Sequence, residues 1–322
     1  MKLETTLDHF FNNIGKSIEP QNLYTPVNYI LSQDSKRIRP HLVLLAAELF
    51  GAKGEDAFYP ATAFEMLHNF TLIHDDIMDN APIRRGKETV YRKWNSNIAI
   101  LSGDVLASLA MKQLLKTPCA PETLIKMSKL FIQTSVEICE GQQYDLDFET
   151  QEEVTIDEYL NMIRLKTAVM LAGCLKTGAI LANASDNDQN TIYEFGINLG
   201  LAFQLVDDLL DVYADAETFG KEIGGDIHEN KKTYLYLLAL QKADKKQCQQ
   251  LQRYFSSNHY HKKEKFDAVK TIFDALRCKE ETEKKVDEYI RNAYANIEAL
   301  SLNSPKQKIL KQLALNISKR NK

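Results

Sequence analysis

A chain of 322 residues with 44% hydrophobic content can bury a sizeable core, and its 40 Lys plus Arg against 44 Asp plus Glu leave a formal net charge of −4. That balance provides no global basic field for nucleic acid or an anionic membrane, so any bound anion must be held by local clusters. Five scattered cysteines (Cys119, Cys139, Cys174, Cys248, Cys278) form no CxxC pair, which argues against a disulfide framework and a zinc knuckle and fits a reducing, cytoplasmic setting.

Taken in chain order, residues Met1 to Phe10 lack a basic region followed by an apolar one, and no apolar run approaches about 18 residues, so neither export nor a membrane span is expected. Apolar residues then recur at helical spacing, as in Leu42, Leu45, Ala46 and Leu49 and again in Ile163, Ala168, Leu171 and Leu175, while two-residue alternation is scarce. The pattern predicts an all-α protein. Breaks fall at Gly51 to Gly54, Thr117-Pro118, Ala120-Pro121, Asn183 to Asn187 and Gly220 to Gly225. Connections that short suit a bundle of antiparallel helices. Ser256 to Lys265 is polar enough to read as a loop, and the charge-rich helices beyond it read as a solvated outer layer of one domain spanning 1–322.

Two aspartate clusters stand out: Asp75, Asp76 and Asp79, and Asp207, Asp208 and Asp211. Residues four apart share a helix face, so Asp75 and Asp79 point one way with Asp76 on the flank, and the second cluster repeats the arrangement. Alone, such a cluster is most often a solvated face. Here the flanks are apolar: Phe70 to Ile73 and Ile77-Met78 around the first, Leu201 to Phe203 and Leu209-Leu210 around the second. Carboxylates that close in a low-dielectric interior require a compensating cation. Hard oxygen donors without cysteine favour magnesium, and the alternating ligands and central glycine of a calcium loop are missing. Because magnesium completes its shell with water and phosphate oxygens, the pattern predicts a di- or triphosphate substrate.

Basic motifs accompany the clusters: Lys36-Arg37-Ile38-Arg39, Arg84-Arg85-Gly86, Lys166-Thr167, Gly220-Lys221 and Lys231-Lys232-Thr233. Singly each reads as surface charge; together they can supply charge-assisted hydrogen bonds to phosphate.

The run Glu65 to His68, then Leu72 to Asp79, then Arg84 to Gly86 resembles the first aspartate-rich motif of the trans-isoprenyl diphosphate synthases (polyprenyl synthetases), short-chain type. Phe203 to Asp211, followed by Gly220-Lys221 and Asp226 to Thr233, resembles the second. The resemblance extends from about Lys36 to Thr233. It departs from the family at Ser35, where glycine often precedes the basic motif, and after Thr233, where some members have proline.

The resemblance implies an all-α bundle around a deep central cavity and a head-to-tail condensation of isopentenyl diphosphate with an allylic prenyl diphosphate. Two or three magnesium ions would be held by the six aspartates. Arg84, Lys166, Lys221 and Gln204 match allylic diphosphate ligands, and Lys36, Arg39, His68, Arg85 and Lys231 match a metal-free isopentenyl diphosphate site. Thr167 and Gln204 match polar residues near the reacting carbons. Positive charge around the departing diphosphate would favour an allylic cation, which the isopentenyl double bond attacks before a proton is lost. A homodimer is also implied.

Product length is expected to be set on the first aspartate helix, where each turn adds about 5 Å of depth. Thr71 and the bulky Phe70 would form the floor and favour farnesyl or geranylgeranyl diphosphate over longer chains. Three other readings compete. His74-Asp75 also occurs in HD-type phosphohydrolases, but the seven histidines supply no further metal shell and the second cluster would go unexplained. Terpene cyclases need no second anion site. Non-catalytic regulatory subunits of prenyltransferases tend to have lost aspartates, and both clusters are intact here.

Overall fold

The computed structural model describes residues 2–16, 18–214, 223–256 and 260–318. Its regular structure is helical except for one two-stranded hairpin, so the all-α expectation holds. The chain divides into two compact units, Met1–Ser135 with Gly173–Gln189, and Val136–Ala172 with Asn190–Lys322. Each draws on two separated stretches of sequence.

In the first unit, α1 (Lys2–Asn13), α2 (Gln21–Leu31), α3 (Ile38–Phe50), a 3₁₀ turn (Gly54–Ala57) and α4 (Phe58–Met78) precede the hairpin β1 (Ile83–Arg84) and β2 (Lys87–Glu88). The short α5 (Val90–Lys93), α6 (Ser96–Leu114) and the start of α7 (Pro121–Thr150) follow. Helix α3 stops at Gly51, whose φ of 105° allows the left-handed cap that an L side chain resists. Asn95 caps α6 by accepting from the Ile98 N–H. Helix α4 packs against α3 and α6, and its residues Pro60 to Leu67 are buried without a polar stripe. Such a helix belongs in a core. Phe64 meets Phe131 edge to face at 5.1 Å.

The second unit holds the rest of α7, then α8 (Ile156–Ile163), a π turn (Arg164–Ala168), the start of α9 (Val169–Leu181), and most of α10 (Asp186–Tyr213). There follow α11 (Gly225–His228), α12 (Tyr234–Lys242), α13 (Lys245–Phe255), α14 (Lys262–Ala275), α15 (Cys278–Ala299) and α16 (Ser304–Ser318). A reciprocal capping box between Thr155 and Glu158 starts α8. The π turn is gripped by small residues: a Cβ on Gly141 would lie 2.3 Å from the Lys166 nitrogen, and one on Gly200 would lie 2.4 Å from the Ala168 Cα. Only glycine lets α7 and α10 come that close to it.

Two expectations change in detail. The segment read as a loop through Lys265 already turns helical at Lys262, because Lys265, Val269, Ile272 and Phe273 form a buried stripe that the four-residue polar run KKEK conceals. The buried Lys265 ammonium donates to Asn230 and sits over the Phe255 ring, which lets a lysine occupy a core-facing position. The hairpin was not foreseen either, since two-residue strands leave no alternation to read. Its turn residues Arg85 and Gly86 have φ of 53° and 73°, as a two-residue type I′ connection requires.

Candidate active site

The first aspartate cluster closes α4. Asp79 is the C-cap, its N–H bonded to the Asp75 carbonyl at 2.8 Å, while Asn80 takes a left-handed φ of 51° and the Ala81 N–H reaches the Asp76 carbonyl at 3.0 Å. This Schellman closure puts three carboxylates at the negative end of a helix dipole, an arrangement that calls for cations. Asp76 is fully buried, whereas Asp75 is half-buried and Asp79 exposed. The type I′ hairpin delivers Arg84, whose Nε donates to Asp76 Oδ1 at 2.7 Å. Burial raises the Asp76 pKa and the Arg84 charge and hydrogen bond counter it. Asp76 Oδ2 remains buried without a hydrogen-bond partner.

In the same unit Ser35, Lys36, Arg39, His68 and Arg85 line one pocket, so four of the five expected isopentenyl diphosphate ligands come together. His68 and Arg39 are half-buried. Burial, then the charges of Arg39, Arg85, Arg84 and Arg37, push the His68 pKa well down, so its ring is a neutral hydrogen-bonding group beside a cationic cluster. The sequence reading missed Arg37 and Glu65 as partners. They form a buried ion pair at 2.9 Å in that pocket's wall. The available signal was a single glutamate inside the apolar run Ala61 to Leu67.

The second cluster sits in the last two turns of α10, again at a helix C-terminus. Asp208 is 2% exposed, while Asp207 and Asp211 are half-buried. The Tyr159 hydroxyl donates to Asp208 Oδ2 at 2.5 Å, Gln204 Nε2 donates to Asp208 Oδ1 at 3.2 Å, and Thr167 Oγ1 donates to Gln204 Oε1 at 3.2 Å. Burial, then the facing Asp226, lifts the Asp208 pKa to about 8 and that of Asp211 to about 7. The Asp226 N–H donates to Asp211 Oδ2 at 3.1 Å.

Asp208 shares a pocket with Asp145, Tyr159, Lys166, Thr167, Gln204, Asp226 and Lys231. Lys166 pairs with Asp145 at 2.5 Å and Lys231 with Glu229 at 3.0 Å. Lys231, grouped from the sequence with the isopentenyl diphosphate ligands, is thus a lining residue of the second unit's pocket. Lys232 closes the end of α7, its ammonium donating to the Phe148 and Gln151 carbonyls at 2.5 and 2.6 Å. Tyr159 and Asp145 were not singled out from sequence, because their roles depend on contacts 49 and 21 residues away. Lys221 lies outside the described residues.

Of the residues read as a chain-length floor, Phe70 sets its ring edge to face against His74 with centroids 4.9 Å apart. Thr71 Oγ1 donates to the His68 carbonyl at 2.8 Å. Both are half-buried. Thr71, four residues before Asp75, shares its face, and Phe70 lies on the His74 side.

The donors fit a hard divalent ion. They are carboxylate oxygens at negative helix ends, one of them buried and unpartnered, and three of the six aspartates, Asp76, Asp208 and Asp211, carry raised pKa values that a cation would relieve. Among the described residues no three acidic, histidine or cysteine side chains converge as a ready-made cage.

Helical architecture, an aspartate cluster at a helix end in each unit, a basic pocket in the first unit and a mixed-charge pocket in the second match a class of diphosphate-handling helical enzymes. A family model described as polyprenyl synthetase matches residues 20–276, and the chain belongs to that family. It is 43% identical over 226 residues to a geranylgeranyl diphosphate synthase of Methanosarcina mazei, covering 70% of each chain. It is 34% identical over 299 residues to a geranylgeranyl pyrophosphate synthase of Geoglobus acetivorans, covering 93% of this chain and 91% of that one. A solved geranylgeranyl pyrophosphate synthase superposes with a TM-score of 0.93 at 43% identity over 100% of this chain and 98% of the other.

Proposed function

We propose that this protein condenses isopentenyl diphosphate head to tail with an allylic prenyl diphosphate, releasing diphosphate and forming a short-chain trans-prenyl diphosphate. The observation that carries the reading is a helix-terminal aspartate cluster in each unit, its middle carboxylate buried, together with a basic pocket in the first unit and a mixed-charge pocket in the second, in a chain of this family. Of the two expected products, farnesyl and geranylgeranyl diphosphate, relatives named for geranylgeranyl diphosphate synthesis support the geranylgeranyl one.

The aspartates Asp75, Asp76, Asp79, Asp207, Asp208 and Asp211 would hold two or three magnesium ions with the allylic diphosphate. When bound, magnesium offsets the charge that grows on the departing diphosphate. The half-buried and exposed outer aspartates offer oxygens, and the buried middle ones, fixed by Arg84 and by Tyr159 with Gln204, hold the set in place. Lys166, Arg84 and Lys221 add charge to the leaving group. Lys36, Arg39, His68 and Arg85 bind the isopentenyl diphosphate, with Lys231 assigned to the same substrate. Thr167 and Gln204 present dipoles toward the reacting carbons. We read residues 1–322 as one catalytic domain and assign it to the cytoplasm as a homodimer. Among the described residues no helix is long and apolar enough to cross a membrane.

The test is a chromatographic product assay with magnesium, radiolabelled isopentenyl diphosphate and each allylic starter in turn. A lengthened prenyl diphosphate is expected. Release of phosphate without elongation supports a hydrolase instead, and a cyclised hydrocarbon supports a terpene cyclase.

A further inference from the structure

We propose that Glu65 is the positioning residue of the isopentenyl diphosphate pocket, fixing through Arg37 the backbone that presents Lys36 and Arg39; the idea rests on the function proposed above. Three observations carry it. Glu65 lies in the buried stretch of α4 with its side chain 2% exposed, and it accepts from Arg37 Nη1 at 2.9 Å and from Asn69 Nδ2 at 3.3 Å. A carboxylate so enclosed is held by its partners and is turned onto Arg37.

Arg37 itself has an unusual backbone. It is the N-cap of α3 with φ 45° and ψ 38°, a left-handed conformation that a long L side chain resists. Its guanidinium is fastened on every side: Nη1 to Glu65, Nη2 to the Leu31 carbonyl at 2.5 Å and the Gln33 carbonyl at 3.3 Å, and its face 4.4 Å from the Phe11 ring centroid. The side chain therefore ties the 31–37 segment to α4. Lys36 precedes this anchored residue and Arg39 follows it by two, so both ligands hang from the strained link.

Charge gives the third observation. The carboxylate also acts at longer range on Arg39 and Arg85, partly offsetting the effect of their burial. Three guanidiniums crowded at one pocket repel one another until an anion arrives, and a buried countercharge in the wall keeps the empty pocket in its binding geometry. The sequence alone shows Glu65 only as a member of a motif.

The full-length protein, wild type and as Glu65→Gln, Glu65→Asp and the double variant Glu65→Gln/Arg37→Met, is assayed for KM toward each substrate. Glu65→Gln is expected to raise the KM for isopentenyl diphosphate about tenfold or more and to move the allylic KM by less than about twofold. Glu65→Asp, which keeps the charge, should recover part of the loss. The double variant removes both buried charges, so it should fold with wild-type helicity yet keep the raised isopentenyl diphosphate KM. An unchanged isopentenyl diphosphate KM in Glu65→Gln, both KM values rising together, or a wild-type value in the double variant overturns the proposal.

Calorimetric titration of isopentenyl diphosphate in chelator separates this from the functional reading. A wild type that elongates nothing defeats the function proposed above. Glu65 is then judged by affinity alone: about tenfold weaker binding in Glu65→Gln supports its role, and equal binding overturns it.

Discussion

Replacing Gly141 by alanine isolates the π turn that carries Lys166 and Thr167. The new Cβ would stand 2.3 Å from the Lys166 nitrogen and 2.8 Å from both the Leu165 carbonyl carbon and the Lys166 Cα. Ordinary van der Waals contact needs roughly 3.4 to 4 Å, so α7 and the turn must part by about 1 Å, and the obstructing atoms are backbone that cannot rotate aside. Two effects oppose each other. Alanine favours the helix over glycine by about 1 kcal/mol, while overpacking a tight contact costs about 1–3 kcal/mol. The clash should win, since Gly200 closes the other side of the turn and leaves it little room to retreat.

A net loss of up to about 2 kcal/mol lowers the melting temperature by up to about 3 °C in a chain of 322 residues, at about 2.1 cal/mol/K of unfolding entropy per residue. The effect on turnover should be larger. Lys166 and Thr167 move with the turn, and a displacement of about 1 Å in positioning groups can cost on the order of 100-fold in rate. Thermal melts and product chromatography on Gly141→Ala, beside the exposed neighbour Glu140→Ala as control, measure both. Wild-type melting and turnover in Gly141→Ala would refute the argument that glycine is needed there.

Three further outcomes are expected. Tyr159→Phe removes the hydroxyl that orients Asp208, and it should raise the magnesium concentration for half-maximal activity roughly tenfold or more; an unchanged requirement speaks against that support. In chelator, stability should fall as pH rises from about 4 toward 8. Asp208 and Asp211 keep their protons to about 8 and about 7 in the folded chain against 3.8 for an ordinary aspartate, so the folded state binds more protons than the unfolded one across that window. Magnesium should flatten the slope, and a melting temperature level from pH 5 to 8 without metal contradicts it. Phe70→Ala should lengthen the products detected by chromatography, whereas an unchanged product spectrum rejects Phe70 as the floor.

Much of this protein is legible without coordinates because its signals are local. Helical periodicity gives the fold class. Glycine and proline give the breaks near Gly51 and Pro121, and a run of small polar residues the one near Asn183, where α3 ends, α7 begins and α9 has just ended. Spacing within Asp75 to Asp79 and Asp207 to Asp211 gives two carboxylate faces, because positions four apart meet on one side of any helix. Lys262 to Lys265 was misread because a polar first turn looks the same whether it opens a helix or extends a loop. The register of the buried stripe beyond it decides the matter.

Within each cluster, sequence treats the three aspartates as equals. The fold buries Asp76 and Asp208 and leaves their neighbours open, because each middle carboxylate turns inward to a donor, Arg84 in one case and Tyr159 with Gln204 in the other. Likewise Glu65 acquires its partner 28 residues upstream, and Gly141 its necessity from a turn 25 residues on. The chain by itself determined which side chains were available for metal and phosphate chemistry. Only the tertiary structure decided which of them are held, by what, and how tightly, since burial and hydrogen bonding between distant segments have no period along the sequence.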